Sequence, residues 1–185
     1  MKKVLLWGAA IVGVLVVVCC VASLLAPTEW NVRTSVVIDA PPERIHAYVN
    51  RPRVWVQFAE RHAAVVEPET EMTFTFSDIE EGVGAWYVSE APGSKVHIEY
   101  TASDPAKGIE YQGRIETDEV NDHGSITYEV VEGGTRVTWT DKGDVPTGFG
   151  LMTGVLEDHL TPFFTGILTE LKTAVESGEQ IPDLE

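Results

Sequence analysis

Apolar and polar positions follow three different patterns along the chain. From Val4 to Ala26 the run is continuously apolar, softened only by Gly8, Gly13 and Ser23. A helix of that length extends about 35 Å, enough to cross a hydrocarbon core of about 30 Å. From Val32 onward the period becomes that of short strands and helices. Val32 to Asp39 reads as a strand, and Asp39-Ala-Pro-Pro-Glu43 ends it and starts a helix, with prolines near the first turn and Glu43 at the positive end. Ile45, Tyr48 and Val49 keep helical spacing, and Val54 to Phe58 forms a second short helical piece beyond Pro52. Strict alternation then takes over. Met72, Phe74 and Phe76 are followed by Ala85 to Glu90, by Val96, Ile98 and Tyr100, and by Ile109, Tyr111, Gly113 and Ile115. Ile126, Tyr128 and Val130 and finally Val137 and Trp139 complete the series. Glycine-bearing turns separate several of these runs, as expected of an antiparallel meander with one dry face. The last segment is helical: Val155, His159, Phe163, Ile167, Leu171 and Val175 recur every four residues. Pro162 is expected to kink this helix or to restart it, with Thr161 as the cap.

One apolar sheet face needs a cover, and the long C-terminal helix is the only element large enough. The expected class is α+β: a curved antiparallel sheet wrapped around that helix, the helix-grip fold, preceded by a transmembrane helix. Residues 1–27 are read as the cytoplasmic start and anchor, 28–180 as the helix-grip domain and 181–185 as an acidic tail. A signal peptide has a shorter apolar core, of about 7–15 residues, so the run is read as a retained anchor. Lys2 and Lys3 precede it and the next base is Arg33, which places Met1 in the cytoplasm and the domain on the outer, periplasmic or extracellular, face. Trp7 and Trp30 are expected at the two headgroup belts.

Charge narrows the partners. All 29 acids and 11 of the 13 bases lie beyond the apolar run, giving the domain a net charge of −18. Such a surface opposes nucleic acid, whose phosphates need Lys and Arg, so no nucleic-acid partner is expected. Both cysteines, Cys19 and Cys20, lie inside the run, so the domain has no disulfide.

No catalytic set emerges from the motifs. The histidines, His46, His62, His97, His123 and His159, lack metal-ligand spacing, and no phosphate loop, nucleophile elbow or dinucleotide fingerprint is present. No metal or cofactor is therefore expected. The aromatic series is more informative. Phe74, Tyr100, Tyr111, Tyr128 and Trp139 share inward parity, Trp86 is compatible with it, and Phe163 and His159 face them from the helix stripe. These eight are the candidate ligand-contacting residues. Read one way they are ordinary core, and read the other way they line a cavity in which tyrosine hydroxyls orient an apolar ligand.

The chain resembles the START-like (SRPBCC) superfamily, in its polyketide cyclase/dehydrase and lipid transport branch. The resemblance runs from about Val32 to Glu176. It rests on Val36 to Glu43, Val54-Trp55, Gly82 to Ala85, Gly133 to Thr140, and Pro162-Phe-Phe with Leu171-Lys172 in the last helix. It departs in the short second helix: relatives often bracket a proline with two tryptophans, where this chain has Trp55-Val-Gln-Phe58. The resemblance implies a module that binds or transfers a hydrophobic small molecule or lipid, with a cyclase/dehydratase-type enzyme as the alternative, or an interaction module without a cavity. Its motifs are turns and strand ends, so they carry the fold and no reaction.

Overall fold

The computed structural model describes residues 2–180 except 67, 69, 70, 118 and 120, with side chains from Ile11 onward. The acidic tail 181–185 lies outside the described residues. Seven strands form one antiparallel sheet: β1 (Glu29–Ile38), β2 (Thr73–Phe76), β3 (Trp86–Ala91), β4 (Ser94–Asp104), β5 (Gly108–Ile115), β6 (Asp122–Val131) and β7 (Gly134–Asp144), in the order β1-β7-β6-β5-β4-β3-β2. The helices are α1 (Lys2–Leu25), α2 (Pro42–Val49), α3 (Pro52–Val66) and α4 (Thr153–Ser177), with a single 3-10 turn at Gly150–Met152. The first and last strands of the meander pair in full register, Glu29 opposite Asp144 through Ile38 opposite Thr135. Helix α4 packs on β1 and α3, and its buried side chains share one core with those of the sheet. This is the expected grip.

Helix α4 corrects the stripe read from four-residue steps. Each residue turns the helix by about 100°, so a four-residue step overshoots a full turn by about 40° and the stripe spirals off its face. Ile167, Leu171 and Val175 are buried, while Val155 and His159 have rotated out to solvent. Leu156 and Leu160 take their place against the core. The helix also continues through Pro162, with no restart there.

The expected anchor is corrected as well. Among the described residues no helix is long and apolar enough to cross a membrane. The part of α1 with described side chains, Ile11 to Leu25, extends about 22 Å, short of the hydrocarbon core; Val4 to Ala10, with Trp7, lie outside the residues whose side chains are described. The end of α1 packs on the loop before α4, where the Ser23 hydroxyl donates to the Gly148 carbonyl. Trp30 sits in the core, 4 % exposed, rather than at a headgroup belt. The single-pass topology, the outer-face placement and the membrane partner are withdrawn with the anchor.

Candidate functional site

Between sheet and helices lies a chamber of about 940 Å³, at the upper end of the range for small-molecule sites. Its sheet wall comes from inward positions of successive strands: Phe74 on β2, Tyr87 on β3, Ile98 and Tyr100 on β4, and Tyr111 on β5. Helix α3 adds Trp55 and Ala59, and α4 adds Leu156, Leu160 and Phe163. Trp139 stacks flat on Phe164, with centroids 3.9 Å apart and planes 2° from parallel, and Trp55 meets Trp139 edge-on at 5.1 Å. These rings join β7, α3 and α4 into one aromatic wall. The exposed lining residues mark the mouth. They are Ser94 on the β3–β4 hairpin, Glu116, Thr117 and Glu119 in the β5–β6 turn, Asp144 at the end of β7, and Pro146 and Thr147 beyond it.

Of the eight aromatic and histidine candidates, five line the chamber: Phe74, Tyr100, Tyr111, Trp139 and Phe163. Three lie elsewhere. Trp86 opposes Glu99 and meets His97 edge-on at 5.4 Å, on the opposite face of the sheet from its neighbour Tyr87. His159 is on the solvent side of α4. Tyr128 points inward but meets His46 of α2 beyond the end of the chamber.

That meeting forms a closed polar network. The Ser103 hydroxyl donates to Asn50 Oδ1 at 2.5 Å, so at the 3.1 Å contact His46 Nε2–H must donate to Ser103 Oγ. His46 Nδ1 is left to accept from the Tyr128 hydroxyl at 3.3 Å. This tautomer is neutral, in keeping with burial lowering the His46 pKa against the opposing pull of Asp104 and Glu81. Because its nitrogen donates to Ser103, His46 cannot serve as the base for that hydroxyl. The network ties α2 to β4 and β6, and it is structural.

The chamber wall formed by β5, β6 and β7 holds a different set. The Tyr111 hydroxyl accepts from Trp139 Nε1 at 2.7 Å and donates to Asp141 Oδ2. Asp122 hydrogen-bonds Asp141. Both acids line the chamber, and they are only 2 % and 5 % exposed. Burial, then the bond to Asp141 and its charge, push the Asp122 carboxyl up to about 9. Burial also raises Asp141, against hydrogen bonds from Asp122, Tyr111 and Trp139 that favour its ionised form. One shared proton therefore stays on the pair at neutral pH: Asp122 donates it, and Asp141 carries the charge. Burial and the neighbouring carboxylates raise the Tyr111 pKa well above its ordinary value, so its hydroxyl stays protonated. Asp122 Oδ1 and Asp141 Oδ1 are buried and meet no donor from the rest of the protein, so the proton the pair shares is what relieves them.

Two glycines make room for this cluster. Gly124 lies opposite Tyr111 in the β5–β6 ladder, where an added Cβ would come within 1.9 Å of Tyr111 Cζ. Gly113 lies opposite Asp122, where a Cβ would come within 2.2 Å of Asp122 Oδ2. The two acids were missed in the sequence although the signal was present. Asp122 has the inward parity of Ile126 and Tyr128, and Asp141 that of Val137 and Trp139. Residues 121–124, Asn-Asp-His-Gly, have the composition of a turn, yet β6 begins at Asp122.

The fold and family agree with known proteins. The polyketide cyclase / dehydrase and lipid transport family matches residues 29–176, so the chain belongs to it. No curated protein matches the sequence significantly. Protein CV1439 from Chromobacterium violaceum is 18 % identical with a TM-score of 0.56, the match covering 83 % of this chain and 99 % of that one. SA2116 from Staphylococcus aureus, a protein of unknown function, is 10 % identical with a TM-score of 0.61, over 83 % and 97 % of the two chains. DynU16, from the dynemicin biosynthetic locus, is 17 % identical with a TM-score of 0.53, over 80 % of this chain and 48 % of its own. These likenesses establish the fold.

Proposed function

We propose that this member of the polyketide cyclase/dehydrase and lipid transport family binds a hydrophobic small molecule in its chamber, apolar body along the aromatic wall and polar group against Asp122, Asp141 and Tyr111. The observation that carries this reading is the pairing of a large apolar chamber with two buried carboxyls in its wall that meet no basic side chain. A side-chain-filled core would have neither. Phe74, Tyr100, Trp139 and Phe163 supply shape, and Tyr111 supplies orientation. Native mass spectrometry of the full chain tests the reading. A co-purifying small molecule, or one taken up from a hydrophobic extract, supports it. A bare chain that takes up nothing overturns it.

A second reading has a specific observation behind it. A protonated carboxyl beside an ionised one is equipped for acid–base chemistry. Asp122 would give its proton to a substrate carbonyl oxygen, while Asp141 takes one from the adjacent carbon, leaving an enol that can attack a second carbonyl within the same substrate. Turnover that collapses in Tyr111→Phe while binding stays within about tenfold would favour this enzyme. Ligand binding by the wild-type chain with no turnover would favour the binder.

A further inference from the structure

The chamber's charge is one-sided. The pair lies close to the mouth, Asp122 opposite Gly143 and next to the Asn121–Asp144 step, and Glu116, Glu119 and Asp144 line the mouth itself; among the described residues no Lys, Arg or His lines the chamber. The side chains that α3 and α4 present to the chamber are apolar, Trp55, Phe163 and Ile167 among them. The titratable neighbours of the pair are Tyr87 on β3 and Tyr111 on β5, and burial raises the pKa of both. Nothing in the wall offsets the pair's negative charge.

This restricts what the pair accepts. A carboxylate- or phosphate-headed ligand would bring like charge into a low-dielectric site, where repulsion is strongest. A ketone or ester brings neither a proton nor a positive charge to replace the proton that the acid pair shares. A hydroxyl brings a proton alone. A primary ammonium carries three donors and a positive charge, and it answers both deficits.

We propose that the chamber takes a hydrophobic amine, bound as its ammonium cation against the Asp122–Asp141 pair. This rests on the reading that the chamber binds a small molecule, and it names the ligand's class. A metal ion is a poorer fit, since among the described residues no three His, Cys, Asp or Glu side chains converge. Binding is an exchange of cations: the ammonium arrives, and the proton shared by the pair leaves to solvent. No covalent bond changes, and the site's net charge is the same before and after. The proton resists leaving an empty chamber because burial and the second carboxyl hold it there.

The test uses the full chain and three probes with one tail: decylamine, 1-decanol and decanoate. Trp30, Trp55 and Trp139 line the chamber and report occupancy by fluorescence. At neutral pH decylamine should bind about tenfold or more tighter than 1-decanol, with decanoate weakest. Calorimetry in buffers of different ionisation heat should show about one proton released per decylamine bound, and affinity should rise with pH until the amine itself deprotonates. In the double variant Asp122→Asn/Asp141→Asn, the preference for decylamine over 1-decanol should vanish, whatever the affinity of either. Should that variant not fold, proton release by the wild-type chain decides. Equal affinity for amine and alcohol, or binding without proton release, overturns the proposal and leaves the binding chamber intact. An amine preference that survives in the folded double variant assigns it to surface acids and also overturns the proposal. Binding of none of the three removes the chamber reading itself.

Discussion

Two buried polar groups lie on the same concave face of the sheet, and they differ in how their hydrogen bonds close. At one end, Tyr128, His46, Ser103 and Asn50 form a chain in which each donor meets an acceptor, leaving a neutral imidazole. At the other, Trp139, Tyr111, Asp141 and Asp122 form a chain that ends in two carboxyls with one proton between them and no further donor from the protein. A closed network stabilises and specifies the fold. An open one leaves a buried charge for a ligand to answer. The contrast also sets opposite pH behaviour, because one group resists gaining a proton and the other resists losing one.

The largest expected effect comes from the acid pair. Asp122 binds its proton in the folded chain up to about pH 9, whereas an unfolded Asp gives it up near pH 4. Its folded pKa is raised, so stability is fully present below the unfolded value and is lost as pH rises through the folded one. Urea unfolding should therefore show stability falling between about pH 4 and about pH 9, by at most about 1.4 kcal/mol per pH unit. Asp122→Asn should flatten most of that slope, and an unchanged slope would break the assignment of the proton to this pair.

Gly124→Ala comes next. Its Cβ would collide with the Tyr111 ring, forcing the ring away from Asp141 and Trp139. A loss of about 2–3 kcal/mol is expected, read as a drop in thermal midpoint. A midpoint within experimental error of the wild type would show that the cluster does not hold Tyr111 in place.

His46→Leu should cost about 2 kcal/mol by stranding the Tyr128 hydroxyl and removing the donor to Ser103 Oγ, and it should leave ligand binding unchanged. His46 has a lowered pKa in the fold. Its contribution is present above the unfolded value of about 6.5 and is lost as pH falls below it. An acid limb in the wild type that disappears in the variant would sharpen the comparison. A change in affinity would blur it.

The smallest effects come from single hydroxyls. Tyr128→Phe and Tyr111→Phe should each cost about 1–2 kcal/mol of stability. Only Tyr111→Phe should also shift ligand affinity, by up to about tenfold. Parallel affinity changes in both variants would deny the distinction between the two ends of the face.

Most of the fold could be read from the chain, because period-two alternation and a long apolar helix determine each other's packing. The strand run from Phe74 to Trp139 and the grip on the C-terminal helix follow from parity alone, as does the inward placement of Tyr100 and Tyr111. The limits came from local geometry. A four-residue step is not the helical period, so it put His159 on the wrong face. Trp86 and Tyr87 are adjacent in one strand, and only the register of β3 against β4 decides which of them faces the chamber. The acids were hidden because Asp beside Asn and Gly ordinarily signals a turn, whereas here β6 begins at Asp122 itself. The apolar start shows a further limit, since apolarity alone does not distinguish a membrane span from a helix whose end packs on the Gly148 loop.

The most direct test is carboxyl-carbon NMR on Asp-labelled protein, titrated with and without 1-decanol. One carboxyl of the Asp122–Asp141 pair should keep its proton well above neutral pH, and both resonances should move when the chamber fills. If both carboxyls ionise in the ordinary range near pH 4 and neither responds to the ligand, the pair is not a shared-proton site in the wall of a binding chamber, and the account fails.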